Sequence, residues 1–176
     1  MEQILEATLE LFAERGFSGT STNHIVDRLG MSVGALYRYF PNKQAILEEL
    51  NRRYLAHICD ILVRIHEDST SLNAPDYVTK LVDSLVDFCE GAPAVHEVFF
   101  SAEESATTRG DETTFRMAAT QIFSDFFQES ADLEKGRANL LADVTYSMSN
   151  TVLQLAAERD WAWLITLDTR SIQLRG

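Results

Sequence analysis

Apolar residues recur every three or four positions along most of this 176-residue chain, the spacing that places them on one face of an α-helix. The chain contains only eight glycines and three prolines, which favours long helices with few irregular loops. The pattern predicts an all-α protein of about nine helices, over residues 2–15, 22–29, 33–40, 43–66, 75–90, 95–104, 113–129, 133–158 and 161–174. The polar stretches Glu67–Pro75 and Ser105–Glu112 are predicted to be a linker and a loop.

The second and third predicted helices form a short pair joined by a tight turn. Residues 22–29 carry three apolar side chains on one face, and Gly30 follows at the position where a helix ends in a left-handed cap. Ser32 offers an N-cap hydroxyl to the next helix, residues 33–40, which Pro41 is expected to end. Such a pair is typical of a helix-turn-helix, which places its second helix in the major groove of DNA.

The fourth predicted helix is long enough to connect two domains. It begins after the cap residue Asn42 and spans roughly 36 Å over residues 43–66. A helix of that length leaves a small N-terminal domain and enters the next one. We therefore expect a helix-turn-helix DNA-binding domain at residues 1–50 and a second helical domain at residues 51–176; the resemblance described below implies that the second domain binds an effector and mediates dimerisation.

The apolar pattern of the second domain indicates which helix faces are buried. The predicted inner face of the fifth helix consists of Val78, Leu81, Val82, Leu85, Val86, Phe88 and Cys89. The last two predicted helices are apolar on more than one side, which is typical of helices that lie in an interface. Alternatively, they simply cover the core of a monomer.

Charge is distributed unevenly along the chain. The net charge is −12, but residues 1–54 carry six basic and seven acidic residues, so the excess of acid lies in the second domain. Residues 20–43 have a net charge of +2. Because few phosphates would be neutralised by so few cations, only modest non-specific affinity for DNA is expected. Cys59 and Cys89 lie in apolar helical patterns, which favours buried reduced thiols over a redox switch or a disulfide.

Sixteen residues of the first 50 resemble the N-terminal signature of TetR-family transcriptional regulators. They are in register with it and include the aromatic run at residues 37–40 and the Pro-Asn-Lys entry to the fourth helix: Phe12, Gly16, Phe17, Thr20, Ser21, Thr22, Ile25, Gly30, Ser32, Gly34, Leu36, Tyr37, Tyr39, Phe40, Lys43 and Leu47. Beyond about residue 55 the resemblance is one of length and helical rhythm only.

The resemblance implies a ligand-responsive regulator of transcription. Such a protein forms a homodimer through its last two helices and binds a pseudo-palindromic operator in double-stranded DNA. A small hydrophobic or aromatic effector releases it from the DNA. A repressor is expected. The alternatives are an activator of the same fold and a helical interaction module that does not bind DNA. With no signal peptide and no apolar stretch long enough for a transmembrane helix, a cytoplasmic location is expected.

By the same resemblance, nine residues are candidates for DNA contacts. Thr22, Tyr37, Tyr39 and Lys43 are expected to hold the phosphate backbone. The candidates for base contacts are Asn23, Val33, Gly34, Ala35, Tyr37 and Arg38. Alternatives remain at four of these positions. Arg38 could pair with guanine or with phosphate, and Asn23 could read adenine or only start a helix. Instead of contacting phosphate, Tyr39 could pack against the protein with its hydroxyl solvated, and Lys43 could be a solvated charge.

The aromatic residues of the second domain are candidates for an effector pocket, because small-molecule sites have apolar walls with a few polar groups. The candidate lining is Phe88, His96, Phe99, Phe100, Phe115, Phe123, Phe126 and Tyr146. The alternative is that they form the core.

No chemistry-bearing motif indicates an enzyme. The sequence lacks a glycine-rich phosphate loop, a Gly-x-Ser-x-Gly motif and paired cysteine ligands, and its histidines lack metal-ligand spacing. We therefore expect no catalytic residues, no metal and no cofactor.

Overall fold

The computed structural model describes residues 1–68, 73–92, 94, 97–99 and 106–157. Over these residues the regular structure is helical only: α1 (Glu2–Gly19), α2 (Thr22–Leu29), α3 (Val33–Tyr37), α4 (Lys43–Glu67), α5 (Ala74–Gly91), a short α6 of which residues 97–99 are described, α7 (Ala106–Ala131) and α8 (Lys135–Ala157). The predicted all-α class is confirmed. The predicted ninth helix, at residues 161–174, lies outside the described residues.

The caps of the two short helices are those that the sequence indicates. Ser21 and His24 form a capping box, in which the His24 N–H donates to Ser21 Oγ and the Ser21 N–H donates to His24 Nδ1, both at 3.2 Å. Gly30 ends α2 with φ +62°, a left-handed conformation that costs glycine little. Ser32 Oγ accepts from the Ala35 N–H at 3.2 Å and starts α3.

Helix α3 ends earlier than predicted, at Tyr37 instead of Phe40. The Tyr39 N–H bonds back to the Leu36 carbonyl over three residues, at 2.9 Å, which is a tighter turn than the α-helix. The reason lies in Pro41, because the ring of a proline disfavours helical backbone at the residue before it. Arg38 and Tyr39 therefore lie in a turn after the helix.

Helix α4 joins two separate cores. Its first half buries Ile46, Leu47 and Leu50 against α1, α2 and α3, and its second half buries Ile58 and Leu62 against α5 and α7. The helix has 25 residues and is therefore roughly 37 Å long. The predicted link between the two halves of the chain is present. Val98 of α6 is also fully buried in the N-terminal core, so the second half of the chain contributes to the first core.

The predicted inner face of α5 was wrong at two positions. Val78 and Val82 are exposed, whereas Tyr77 is buried and stacks on Phe126 of α7 with ring centroids 3.6 Å apart. The helix is rotated so that Tyr77, Leu81 and Leu85, four residues apart, face the core. An apolar stripe as broad as that of α5 does not by itself decide which side turns inward.

The predicted loop Ser105–Glu112 was also wrong, because α7 begins at Ala106. No proline interrupts residues 106–131, and extending an existing helix costs much less than nucleating one. Of the predicted sixth helix, residues 95–104, only residues 97–99 are described, and they are helical.

Candidate nucleic-acid interface

Helix α3 and the turn after it carry six of the nine predicted DNA-contacting residues, and five of these six are exposed. Leu36 is fully buried and anchors the helix to the N-terminal core. Tyr37 and Tyr39 are 49 % and 55 % exposed, which is unusual for large aromatic side chains that serve packing alone. Val33, Gly34 and Arg38 are exposed with them, and Ala35 is half-buried. The tyrosine hydroxyls are therefore free to reach a partner outside the protein.

The start of α2 adds the two other candidates from the helix pair. Asn23 is exposed and Thr22 is half-buried, and both lie in the first turn of α2. The N–H groups at a helix N-terminus point outward and attract phosphate oxygens. Together, α2 and α3 offer exposed or half-buried hydroxyl, amide and backbone donors.

Gly34 leaves the surface of α3 open. A Cβ atom placed on Gly34 meets no other atom within 4 Å. The glycine is therefore not required by packing inside the free protein. Its surroundings allow close approach of a partner to the backbone of α3.

Lys43 is engaged inside the protein. Its ammonium donates to the carbonyl oxygens of Phe17 and Thr20, the latter at 2.7 Å, and lies 3.9 Å from the centre of the Phe17 ring. Partial burial lowers the pKa of Lys43 below its usual value. The alternative of a merely solvated charge is therefore wrong. Because an ammonium has three N–H donors, a phosphate contact of the predicted kind would use the one that remains.

The basic residues of the N-terminal domain are mostly paired with its own acids. Arg28 contacts Glu10 at 3.0 Å and Glu14 at 2.7 Å, and its pKa is raised chiefly by the hydrogen bond to Glu14. Arg53 pairs with Glu2 at 2.6 Å. Arg38, in contrast, has no ion pair among the described residues. The +2 counted for residues 20–43 therefore overstates the charge offered to DNA.

The corner between α1 and α2 is held by a residue that sequence reasoning missed. The Phe17 N–H donates to Glu97 Oε2 at 2.8 Å, across 80 positions of the chain. Gly16, with φ +71°, interrupts α1 and exposes that N–H. The Lys43 ammonium of α4 donates to the carbonyl of the same Phe17, so α4 and α6 each make a hydrogen bond to the backbone of one residue. No local pattern around Glu97 indicates this contact.

The predicted effector residues form a packed core in this conformation. Phe123 and Phe126 are buried, and Phe88, Phe99, Phe115 and Tyr146 lie half-buried at the edge of the same core. His96 and Phe100 lie outside the described residues. The stacking of Tyr77 on Phe126 leaves no space between those two rings. The alternative that the aromatic stripe is core therefore applies at Phe123 and Phe126.

An open cleft of about 390 Å³ lies between α4 and α5. Of the predicted effector residues that the structure describes, Phe88 alone lines it. The other lining residues are His57, Ile61, Arg64, Ile65 and Asp68 of α4 and Lys80, Ser84 and Asp87 of α5. Its volume lies within the usual range for small-molecule sites.

Two other classes of site are absent from the described part of the chain. No three His, Cys, Asp or Glu side chains there come together in a way that could hold a metal ion. None of the described helices combines the length and the apolarity that crossing a bilayer requires.

The sequence matches two family models over most of its length. Residues 4–50 match that of the bacterial regulatory proteins of the tetR family, and residues 75–164 match that of a tetracyclin repressor-like C-terminal domain. The chain belongs to the TetR family. Its helix-turn-helix lies in the first matched segment and its α5, α7 and α8 in the second.

Individual TetR-family relatives are similar over the N-terminal part. The HTH-type transcriptional regulator YvdT of Bacillus subtilis is 35% identical over 68 residues, which are 38% of this chain and 35% of YvdT. The HTH-type transcriptional repressor KstR2 of Mycobacterium tuberculosis is 38% identical over 53 residues, which are 30% of this chain and 26% of KstR2. The chain thus spans about a third or less of the length of these curated relatives.

Solved structures of TetR-family proteins share the fold over nearly the whole chain. A transcriptional regulator from Aquifex aeolicus VF5 superposes with a TM-score of 0.64 at 23% identity, covering 93% of this chain and 91% of that one. The ketosteroid transcriptional regulator KstR2 of Mycobacterium tuberculosis gives 0.63 at 20% identity, covering 90% and 82%. At these identities the likeness shows the fold alone.

Proposed function

We propose that this TetR-family protein is a transcriptional repressor that binds a pseudo-palindromic operator in double-stranded DNA as a homodimer and is released by a small hydrophobic or aromatic effector. The observation that carries the proposal is the exposure of Tyr37 at the end of α3 and of Tyr39 in the turn after it, while Leu36 anchors the helix. Two large aromatic residues with outward hydroxyls suit a phosphate backbone.

Two kinds of contact divide the DNA-binding residues. Thr22, Tyr37, Tyr39 and Lys43 hold phosphates and set the register of the domain on the duplex. Val33 and Ala35 contact thymine methyl groups, Gly34 allows close approach, and Asn23 and Arg38 supply the hydrogen bonds to base edges or phosphate. With few hydrogen-bonding groups on α3, specificity rests partly on the shape of the DNA.

The exposed face of α8 supports the homodimer. Leu140, Val144 and Met148 are four residues apart, and all three are exposed, as is Leu141. An exposed apolar row of this kind is typical of an interface. In the dimer, the two α3 helices enter successive major grooves about 34 Å apart.

Release follows from a shift between two conformations. Helix α4 belongs to both cores, so a change in its tilt moves the helix-turn-helix. An effector that binds the tilted form better than the DNA-bound form separates the two α3 helices. It shifts the equilibrium only by its differential affinity for the two states.

Selection of random DNA duplexes by the purified protein tests this function. We expect an enriched inverted repeat that a dimer binds, with loss of binding in Arg38→Gln. The matched control is Arg116→Gln, an exposed arginine of α7, which should bind as the native chain does. A folded dimer that enriches no sequence would contradict the proposal.

The salt dependence of the selected complex gives a second test. Because Arg28 and Arg53 are paired with acidic side chains, few basic side chains remain that could contact phosphates and displace the counterions bound to DNA. We expect a log–log slope of affinity against salt concentration that is shallower than about −8. A steeper slope would show that many more phosphates are contacted than this surface provides.

A further inference from the structure

We propose that the cleft between α4 and α5 binds a small organic monocarboxylate with an apolar body. Binding of such a molecule requires only the cleft. Its role as the effector that releases DNA rests on the proposed function. The cleft is about 390 Å³ in volume and open to solvent, so a molecule of this size needs no rearrangement to enter.

The two ends of the cleft are identified by contacts between its walls. At one end Lys80 Nζ of α5 lies 2.9 Å from Asp68 Oδ2 of α4. At the other end the rings of His57 and Phe88 stack with centroids 5.4 Å apart. Arg64 lies near the first end, and along α4 it is seven residues, or roughly 10 Å, from His57.

The first end is suited to an anion. Lys80 already neutralises Asp68, and Arg64 has no ion pair among the described residues, so one positive charge remains there. The guanidinium group is planar and matches a carboxylate with two parallel hydrogen bonds. Lys80, paired with Asp68, lines the same cleft.

The rest of the cleft is suited to an apolar body. Ile61 lines its middle, and the stacked pair of His57 and Phe88 forms a flat wall at the far end. Asp87 also lies at that end and disfavours a second anionic group. A molecule up to about 10 Å long, with one carboxylate and an aromatic or aliphatic remainder, satisfies both ends.

A chain of contacts leads from the cleft to the DNA-binding domain. The Phe88 ring lies 5.6 Å from that of Tyr54, and Tyr54 lies 6.0 Å from Phe99 of α6. Two residues before Phe99, Glu97 accepts the hydrogen bond of the Phe17 N–H. A ligand that packs against Phe88 therefore contacts the first residue of a row that ends at the element holding the corner before α2.

Direct titration of the full chain tests the site, by calorimetry with 4-phenylbutyrate and octanoate as the probes and their uncharged amides as controls. We expect the carboxylates to bind with Kd below about 1 mM. The amides and the variant Arg64→Gln should each lose about tenfold or more in affinity, because a charge-assisted pair is lost. The control Arg137→Gln should bind as the native chain does, since Arg137 lies on α8.

Two results would overturn the site: no binding of either carboxylate at about 1 mM, or equal affinities in Arg64→Gln and the native chain. The DNA selection separates this failure from that of the proposed function. If the protein binds a carboxylate but enriches no operator, the carboxylate site is supported and the proposed repressor function is contradicted. If it enriches an operator but binds no carboxylate, the repressor function is supported and the carboxylate site is contradicted.

Discussion

Gly34 is an exposed helical residue that nothing inside the free protein requires to be glycine. We expect Gly34→Ala to raise the free energy of unfolding by up to about 1 kcal/mol, because alanine favours the helix. Operator binding should nevertheless weaken about tenfold, since the added methyl group occupies the space that the DNA approaches. Urea unfolding and titration of the selected operator measure the two effects.

The matched control is Gly110→Ala in α7. Gly110 is also a helical glycine, and a Cβ there likewise meets no atom within 4 Å. It should gain similar stability and leave operator binding unchanged. Equal operator affinities for the two variants would contradict the placement of Gly34 in the DNA interface.

At the scale of elements, α5 and α7 are joined by a tyrosine that is buried without a hydrogen-bond partner. The hydroxyl of Tyr77 has none among the described residues, although its ring stacks on Phe126. We expect Tyr77→Phe to raise the free energy of unfolding by about 1 kcal/mol, because an unsatisfied buried hydroxyl is removed. Tyr37→Phe, at an exposed tyrosine, is the control in urea unfolding and should change little.

The same residue makes stability fall at high pH. Burial raises the pKa of Tyr77 to about 12, so between about pH 10 and 12 the unfolded chain loses this proton first and stability declines. Tyr77→Phe should lessen the decline. It should not abolish it, because burial also raises the pKa of Tyr54 to about 12. An unchanged decline from pH 9 to 12 in the variant would contradict this assignment.

The contact between α6 and the end of α1 depends on one carboxylate. Removing Glu97 leaves the part-buried Phe17 N–H without its acceptor, so we expect Glu97→Leu to lower the free energy of unfolding by about 1–3 kcal/mol. Glu97→Gln keeps an acceptor oxygen and should cost much less. Amide hydrogen exchange at Phe17 reports the bond directly, and equal protection in both variants would mean that the carboxylate is not its main acceptor.

At the scale of the whole molecule, the exposed face of α8 leads to a prediction about assembly. Val144 is 46 % exposed in the centre of that face. We expect Val144→Glu to shift the protein from dimer to monomer in sedimentation equilibrium, because a two-fold interface would bring two buried charges together. The control is Val63→Glu on α4, where valine is 40 % exposed. A dimer that survives only in the control supports the α8 interface, whereas one that survives in both excludes it.

The elements with local signals were predicted well. Ser32, Asn42 and Gly30 act within three or four residues along the chain, so the bounds of α2 and the start of α3 and α4 followed from the sequence. The end of α3 was placed three residues late, because the tight turn before Pro41 was not anticipated. The start of α7 differs from the prediction, because a polar stretch without proline can also be helical.

By itself, the sequence determined the helical class, the helix-turn-helix and its family, because periodicity, caps and a dense motif are properties of neighbouring residues. Only the tertiary structure decided what the charged and aromatic side chains do. Arg28 and Lys43 were counted as cations for DNA, yet their partners Glu14 and Phe17 are supplied by a different helix. Likewise, Glu97 and Arg64 acquire their surroundings from α1 and α5, and contacts between residues far apart in the chain arise only when helices pack.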